Sequence, residues 1–385
     1  MSNTLTNLIP AAYAALDVVS RELVGLIPSV TRDASTERAA VGQTVYSHVA
    51  PASSASDITA GSDVPDAGDQ TIGNTSLSIS KSRMVQFRWE GEEQRGLDNG
   101  GPGSRPIIVD QIAQAMRALT NEVEADLAAL YSSASRSYGT GGTVPFATAG
   151  DYTDASSVLR ILLDNGAPNS DLQLVVNTAA GANLRGKQGG KANEAGTDSI
   201  LRQGVLLDIH GFSVRESAQI KTHTKGTGAS ATTNTAGYAI GATTITLASA
   251  GTGTILAGDT ITFAGDTNQY VVASGDADVS NGGTITLAAP GLRQALAASA
   301  IAITVAATGA RSMAFRRSAI VLAHRLPALP AGGDKAVDRT TITDPRSGLS
   351  FELAMYPGFR RMNYIIAAAW GVKCVKPEHL GLLLG

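Results

Sequence analysis

The densest potential chemistry lies at Gly181-Ala-Asn-Leu-Arg-Gly186-Lys187, where two glycines precede a lysine at the spacing of a phosphate-binding loop. An apolar run, residues 172–176, comes before it, and residues 205–208 form a second apolar run ending in an acid that could hold magnesium. Gln188, however, stands where the metal-ligating hydroxyl of Ser or Thr should be. Gly189-Gly190 would break the helix whose N-terminus must face the phosphates. The expectation is a glycine-rich loop beside a helix, with no nucleotide site and no binding role for Lys187.

Other catalytic constellations are missing: there is no H-E-x-x-H, no pair of cysteines and no G-x-S-x-G elbow. The five histidines, at positions 48, 210, 223, 324 and 379, stand singly. Glu92 and Glu93 sit beside Arg88 and Arg95 and read as solvated charge. No catalytic, cofactor-binding or metal-binding residue is assigned, and a protein without enzymatic activity or cofactor is expected.

Composition points the same way. Charged residues make up 16% of the 385, against roughly 25% in average soluble proteins, so much of the surface must be small, polar and suited to protein contact. A net charge of -3 argues against a tight nucleic-acid binder, which needs a basic stripe, and only weak, non-specific contact with DNA is expected. The single cysteine, Cys374, excludes an internal disulfide and fits a reducing cytoplasm. Neither a secretory signal nor a membrane span is expected, because Asp17, Arg21 and Glu22 interrupt the first apolar stretch and no run approaches about 20 residues.

The elements that would carry these residues follow from periodicity. Tyr13, Leu16, Val19, Leu23 and Ile27 recur at helical spacing after Pro10. Residues 42–49 are strand-like, and residues 51–74 form a polar loop. Between Ala50 and Ser80 there are four aspartates, Asp57, Asp63, Asp66 and Asp69, and no Lys or Arg, a local charge of -4. Leu77, Ile79, Val85, Phe87 and Trp89 share one parity, the pattern of a long strand interrupted by Lys81 and Arg83. Loop and strand together suggest a two-stranded arm reaching from the body.

The strongest helix is predicted over 106–134. Ile108, Ile112, Met116 (or Ala115), Leu119, Val123, Leu127 and Leu130 form a narrow apolar seam, for packing on a sheet or, alternatively, for a coiled-coil dimer. Residues 151–220 mix a helix at 155–163 with strands at 172–176 and 205–209. From Thr222 the chain turns to Thr, Gly and Ala, with strands expected at 244–247, 260–263, 269–272, 284–287 and 300–305. The pentapeptide Thr-Ile-Thr-Leu-Ala occurs twice, from Thr244 and from Thr284, hinting at related hairpins. This stretch predicts a small all-β barrel or sandwich, inserted before mixed patterning resumes at Met313.

This order of elements resembles the major capsid (coat) proteins of tailed bacteriophages, of the HK-ninety-seven-like fold, in the subset with an inserted immunoglobulin-like domain. Three stretches carry the resemblance: GVLLDIHGFSVRES from Gly204, Ala314-Phe315-Arg316-Arg317-Ser318-Ala319, and DPRSGLSFELAMYPGFRRMNYIIAAAWGVKCVKPE from Asp344. It implies an α+β shell fold. The parts would be an N-terminal arm (1–45), an extended loop region (46–104), a spine helix and peripheral region (105–150), and a first axial part (151–221). An inserted β domain (222–308) and an axial and peripheral return (309–385) would complete it.

It also implies self-association as pentamers and hexamers of an icosahedral shell around double-stranded DNA, in the virion after assembly in the host cytoplasm. A scaffolding protein, a portal protein and possibly a decoration protein would be partners, with no membrane. A cellular nanocompartment shell is the alternative on the same architecture; from different classes, the alternatives are a P-loop nucleotide-binding enzyme and a surface adhesin built on the β segment. Residues 57–89 would lie over a neighbouring subunit. Inter-subunit contacts are expected from Asp57, Asp63, Asp66, Asp69, Lys81, Arg83, Arg316, Arg317, Arg360 and Arg361, the arginines offering bidentate forks to the arm's carboxylates. Asp17, Arg21 and Glu22 of the first helix are candidate scaffolding contacts. Some relatives cross-link Lys to Asn, and Lys81 lies in the expected arm, but nothing near it in sequence marks a reactive site.

Overall fold

The apolar seam folds as the inner face of a long helix, Ser104–Ala128, with Ile112, Met116, Val123 and Leu127 all at 0% exposure. Each such side chain contributes about 1.5–3 kcal/mol by leaving water. The last turn tightens into a 3-10 segment, Ala129–Ser133, closed by a bond from the Ala134 amide to the Tyr131 carbonyl of 3.1 Å. The computed structural model describes residues 24–49, 73–98, 104–148, 151–190, 202–344 and 347–385. Most of the first predicted helix, most of the acidic loop and the glycine-rich break at 100–103 lie outside them. Val24 to Leu26, at the end of the predicted helical pattern, are not helical, and Ile27–Ser29 is a 3-10 turn.

Four strands and a short helix precede the long one: β1 (Thr31–Ala39), β2 (Thr44–Val49), β3 (Gly73–Ser78), β4 (Lys81–Glu90) and helix Gly91–Asp98. After it come β5 (Arg136–Tyr138), helix Thr153–Asp164, β6 (Leu172–Val176), helix Thr178–Gly190, β7 (Phe212–Glu216) and β8 (Thr222–His223). The Thr-rich segment supplies β9 (Thr244–Leu247), β10 (Thr260–Phe263), β11 (Gln269–Ser274), β12 (Gly283–Leu287) and β13 (Ile303–Val305). The chain then gives β14 (Gly309–Arg316), β15 (Ile320–Pro327), β16 (Asp338–Thr343), β17 (Ser350–Gly358), β18 (Arg361–Cys374) and β19 (Leu380–Leu384).

The described residues form three sheets. A six-stranded sheet runs β1-β15-β18-β17-β16, with β4 on β18 through ten paired residues from Lys81↔Trp370 to Glu90↔Arg361. An eleven-stranded sheet runs β13-β10-β11-β5-β19-β14-β6-β7, with β8, β9 and β12 attached. β2 and β3 form a separate antiparallel pair. Alternation along the central strands places them between two cores. Leu380, Leu382 and Leu384 of β19, Met313 and Phe315 of β14 and Val175 of β6 face the long helix. Leu383, Ala314, Leu172, Leu174 and Val176 face the helices Thr153–Asp164 and Thr178–Gly190. A third core, from Ala231 to Ile303, belongs to the Thr-rich segment.

Several expectations change. The long strand foreseen from 77 to 89 is two strands, broken at Ile79–Ser80. Only β3 belongs to a free-standing hairpin, while β4 is a body strand. Residues 205–209 are not a strand; the strand begins at Phe212, after a turn in which His210 and Gly211 take positive φ of 50° and 81°. The glycine-rich loop at 181–190 is helical, since it lies within Thr178–Gly190. The twin pentapeptides are not two hairpins. They lie in neighbouring strands that pair with each other, Ile245 opposite Ile285.

Candidate assembly surfaces

The hairpin β2–β3 leaves the body over a small apolar base. Leu77 and Ile79 pack on Ala323 and Ala369, with Val45 alongside. The crossing is closest at Gly371, where a Cβ would overlap the Ser78 carbonyl. Backbone bonds close the base, from Ile79 to the Gln43 carbonyl and from Gly42 to the Ile79 carbonyl, both 2.9 Å. The Lys373 ammonium adds a 2.7 Å bond to the Ser76 carbonyl. Asp57, Asp63, Asp66 and Asp69, and likewise Asp17, Arg21 and Glu22, lie outside the described residues.

Lys81 and Arg83 share the parity of Val85, Phe87 and Trp89, so β4 turns all five toward the long helix. There Lys81 Nζ meets Asp126 at 2.8 Å and Glu122 at 3.1 Å, and Arg83 Nε meets Glu122 at 3.1 Å. The other Asp126 oxygen accepts from Trp370 Nε1 at 2.8 Å. The bond to Asp126, with Glu122 behind it, holds Lys81 above the usual lysine range despite partial burial. A protonated ammonium has no lone pair for attack on an amide. Both cations are paired within the chain.

At the far end of β4 the turn between β17 and β18 projects Phe359, 92% exposed and the most exposed large apolar residue among those described. Arg360 follows at φ 57°, 3.8 Å from Glu92, both side chains open to solvent. Beside the turn lie two open hollows. One of about 440 Å³ is lined by Gln86, Phe87, Arg88, Arg361 and Asn363. The other, about 520 Å³, is lined by Arg88, Trp89, Glu93, Gly96, Leu97 and Gln111. Stacking of Phe87 on Tyr364 at 5.1 Å and the bond from Trp89 Nε1 to Gln111 at 2.7 Å fix their walls. Arg316 and Arg317 lie at a separate site, where β14 ends. Arg316 donates to Ser318 at 2.9 Å, and Arg317 Nε lies 3.3 Å from Asp171.

The residues that resembled a phosphate loop have other work. Inside a helix their backbone amides serve the helix and form no anion cradle. Gln188 uses its amide as a surrogate strand, giving to and taking from the Leu207 backbone, both at 3.0 Å. Lys187 donates to the Asp151 carbonyl at 2.6 Å and lies 5.8 Å from the ring centroids of Phe146 and Tyr152. Arg185 pairs with Glu216. Among the described residues no group of His, Cys, Asp or Glu is placed to hold a metal ion, and no helix is long and apolar enough to cross a membrane.

Residues that motif reading missed hold the parts together. Buried Glu352 bridges Arg38 of β1 at 2.5 Å and Arg339 of β16 at 2.7 Å. Arg136, 3% exposed, ties β5 to Asn268 at 2.8 Å and to Asp164 at 3.2 Å. Glu124, 0% exposed, meets backbone amides of the residues that precede β1. Its one sequence signal was its place between the seam residues Val123 and Leu127.

No protein-family model and no curated protein matches the chain by sequence. Among solved structures it is similar to the capsid of cyanophage P-SCSP1u, with a TM-score of 0.50 and 10% identity over 92% of this chain and 86% of that one. It is also similar to a chain of Mycobacterium phage Che8, with a TM-score of 0.46 and 13% identity over 96% and 90% of the two chains. A virus-like particle from Pyrococcus furiosus gives a TM-score of 0.42 at 10% identity, covering 98% and 100%. The first of these shows a shared α+β fold across nearly the whole chain.

Proposed function

We propose that this chain is the structural subunit of an icosahedral shell of the tailed-phage type, one that self-assembles around double-stranded DNA and has no catalytic role. The observation that carries the reading is the near whole-chain likeness in fold to the cyanophage capsid chain. The surfaces are compatible with it: a separate two-stranded hairpin packs near one end of β18, and an exposed Phe359 with Arg360 and Arg361 lies at the other end of that strand. Such a subunit gains by multivalency, because one docked contact raises the effective concentration for the next. The net charge of -3 suits a wall that meets packaged DNA weakly.

The finer parts of the proposal are these. Pentamers and hexamers form the shell; a scaffolding protein engages the N-terminal segment at Asp17, Arg21 and Glu22; a portal and, where present, a decoration protein complete the particle. The acidic limb with Asp57, Asp63, Asp66 and Asp69 docks on a neighbour, with Arg360 and Arg361 its preferred partners and Arg316 and Arg317 a second basic site. Lys81 and Arg83, already engaged by Glu122 and Asp126, contribute to the neighbour contact by stiffening β4. Residues 222–308 act as an added β unit, a division supported by their own core.

The test is assembly. Expressed with the scaffolding protein of its own phage, the chain should give closed shells or polyheads by light scattering and negative-stain microscopy. A chain that stays monomeric or dimeric in that mixture overturns the proposal. Replacing the four aspartates by asparagine should lower shell melting at low salt, where screening is weakest.

A further inference from the structure

Glu124 is a carboxylate with no route to solvent, at 0% exposure on the flank of the long helix. Its Oε1 accepts from the Gly25 amide at 2.8 Å and the Leu26 amide at 2.6 Å, and its Oε2 from the Ile27 amide at 2.9 Å. Three successive amides on one carboxylate are charge-assisted bonds, about twice as strong as neutral ones. Burial raises its pKa above the usual carboxylate value, and the bonds from Leu26, Ser217, Ile27 and Gly25 oppose that rise without cancelling it.

The same few residues are locked from their other sides. Gly25 passes so close to the Glu216 carbonyl that a Cβ would overlap it. Ser29 Oγ donates to the Gly25 carbonyl at 2.6 Å and receives from Arg215 Nη1 at 3.1 Å. Leu26 and Ile27 at 0% exposure and Val30 at 2% enter the core under the long helix. The long helix, the root of the N-terminal segment and the end of β7 therefore meet at one side chain. A rotation of the helix by one residue, about 100°, would carry Glu124 away from all three amides.

We infer that Glu124 is the positioning residue that fixes residues 24–30 against the long helix, so that the two move as one unit. A partner that pulls on residues 1–23 acts on the helix through this carboxylate. The consequence for assembly rests on the shell reading above; the anchor itself does not.

Hydrogen exchange on the unassembled full-length chain separates the two. In Glu124→Gln one oxygen is replaced by an amide that cannot accept, so exchange across 24–30 should speed by about tenfold or more while β15 and β18 stay protected. Glu124→Asp, which keeps the charge on a shorter stem, should restore part of the protection. Unchanged exchange at 24–30, or equal acceleration throughout the molecule, overturns the anchor. Should Glu124→Gln fail to fold, Gly25→Ala presses on the Glu216 carbonyl and should loosen the same amides; protection that survives it overturns the anchor equally. In one assembly mixture, Glu124→Gln should yield fewer shells than the wild type, and equal yields overturn the coupling. A wild-type chain that forms no shells strikes the shell reading and leaves the exchange result standing.

Discussion

The Thr-rich segment and the body achieve burial by opposite routes. The segment draws its core from one contiguous stretch, Ala231 to Ile303, and its twin pentapeptides become partners across a single ladder. The body draws its sheets from the whole chain: β19, near the C-terminus, lies between β5 and β14, and β15 near residue 320 takes β1 near residue 31 as a parallel neighbour. Yet the two are not independent beads. β11 pairs with β5, and Val271 enters the core of the body. A segment local in sequence is thus held to a body that is not, through a strand of three residues.

Both tryptophans, Trp89 and Trp370, belong to the body core, so their fluorescence reports the body alone. The largest effect is expected from Trp370→Ala, which empties a fully buried site and strands the Asp126 oxygen that it satisfied. It should cost roughly 3–5 kcal/mol in denaturant unfolding of the isolated chain, read by Trp89. Ile285→Ala, in the core of the segment, should cost roughly 2–5 kcal/mol in hydrogen exchange of β9 and β12. If the β5–β11 ladder couples the regions, the tryptophan transition moves with it; a stationary transition would mean two separately melting units.

Acid should act on the body first. His324 is fully buried, with neither ring nitrogen hydrogen-bonded among the described residues, and burial, with Arg325 adding to it, lowers its pKa to about 4. The fold then favours the neutral ring. Below the unfolded value near 6.5 the unfolded chain binds the extra proton, so stability falls as pH drops from about 6.5 to about 4, by about 3 kcal/mol in all. Tryptophan-monitored unfolding of His324→Leu should lack that slope. The smallest effect is expected at Lys81→Met: the ammonium is a third exposed, and losing its two ion pairs should cost below about 1 kcal/mol. A much larger loss in urea titration would place the Lys81 cluster among the determinants of the body.

Much of this could be read from residue patterns. The seam from Ile108 to Leu127 found its helix, and the strand pattern of the Thr-rich segment gave β9 and β10 at their expected limits, because local alternation with turn residues between leaves one register available. The phosphate-loop resemblance misled only in part. Glycine spacing marks a loop when nothing else binds the backbone, but Gln188 and Arg185 lend these residues a helical role through partners some twenty to thirty residues away. The long strand at 77–89 was misjudged because parity continues through Ile79–Ser80, while the pairing partner changes from β2 to β18.

By itself the sequence determined the long helix with its apolar seam, the strands β9 and β10, and that no common catalytic motif is spelled out, since these depend on residue type and period. Tertiary structure alone decided which strands are neighbours and which charges are spent. Lys81 and Arg83 carry the same charge as Arg360 and Arg361, yet two are neutralised by a helix and two project at a turn. Glu122 and Glu124, two residues apart, differ as much, one serving surface cations and the other buried amides. The physical reason is that a charge acts through its local dielectric and its partners, and both are set by elements that meet only in the fold.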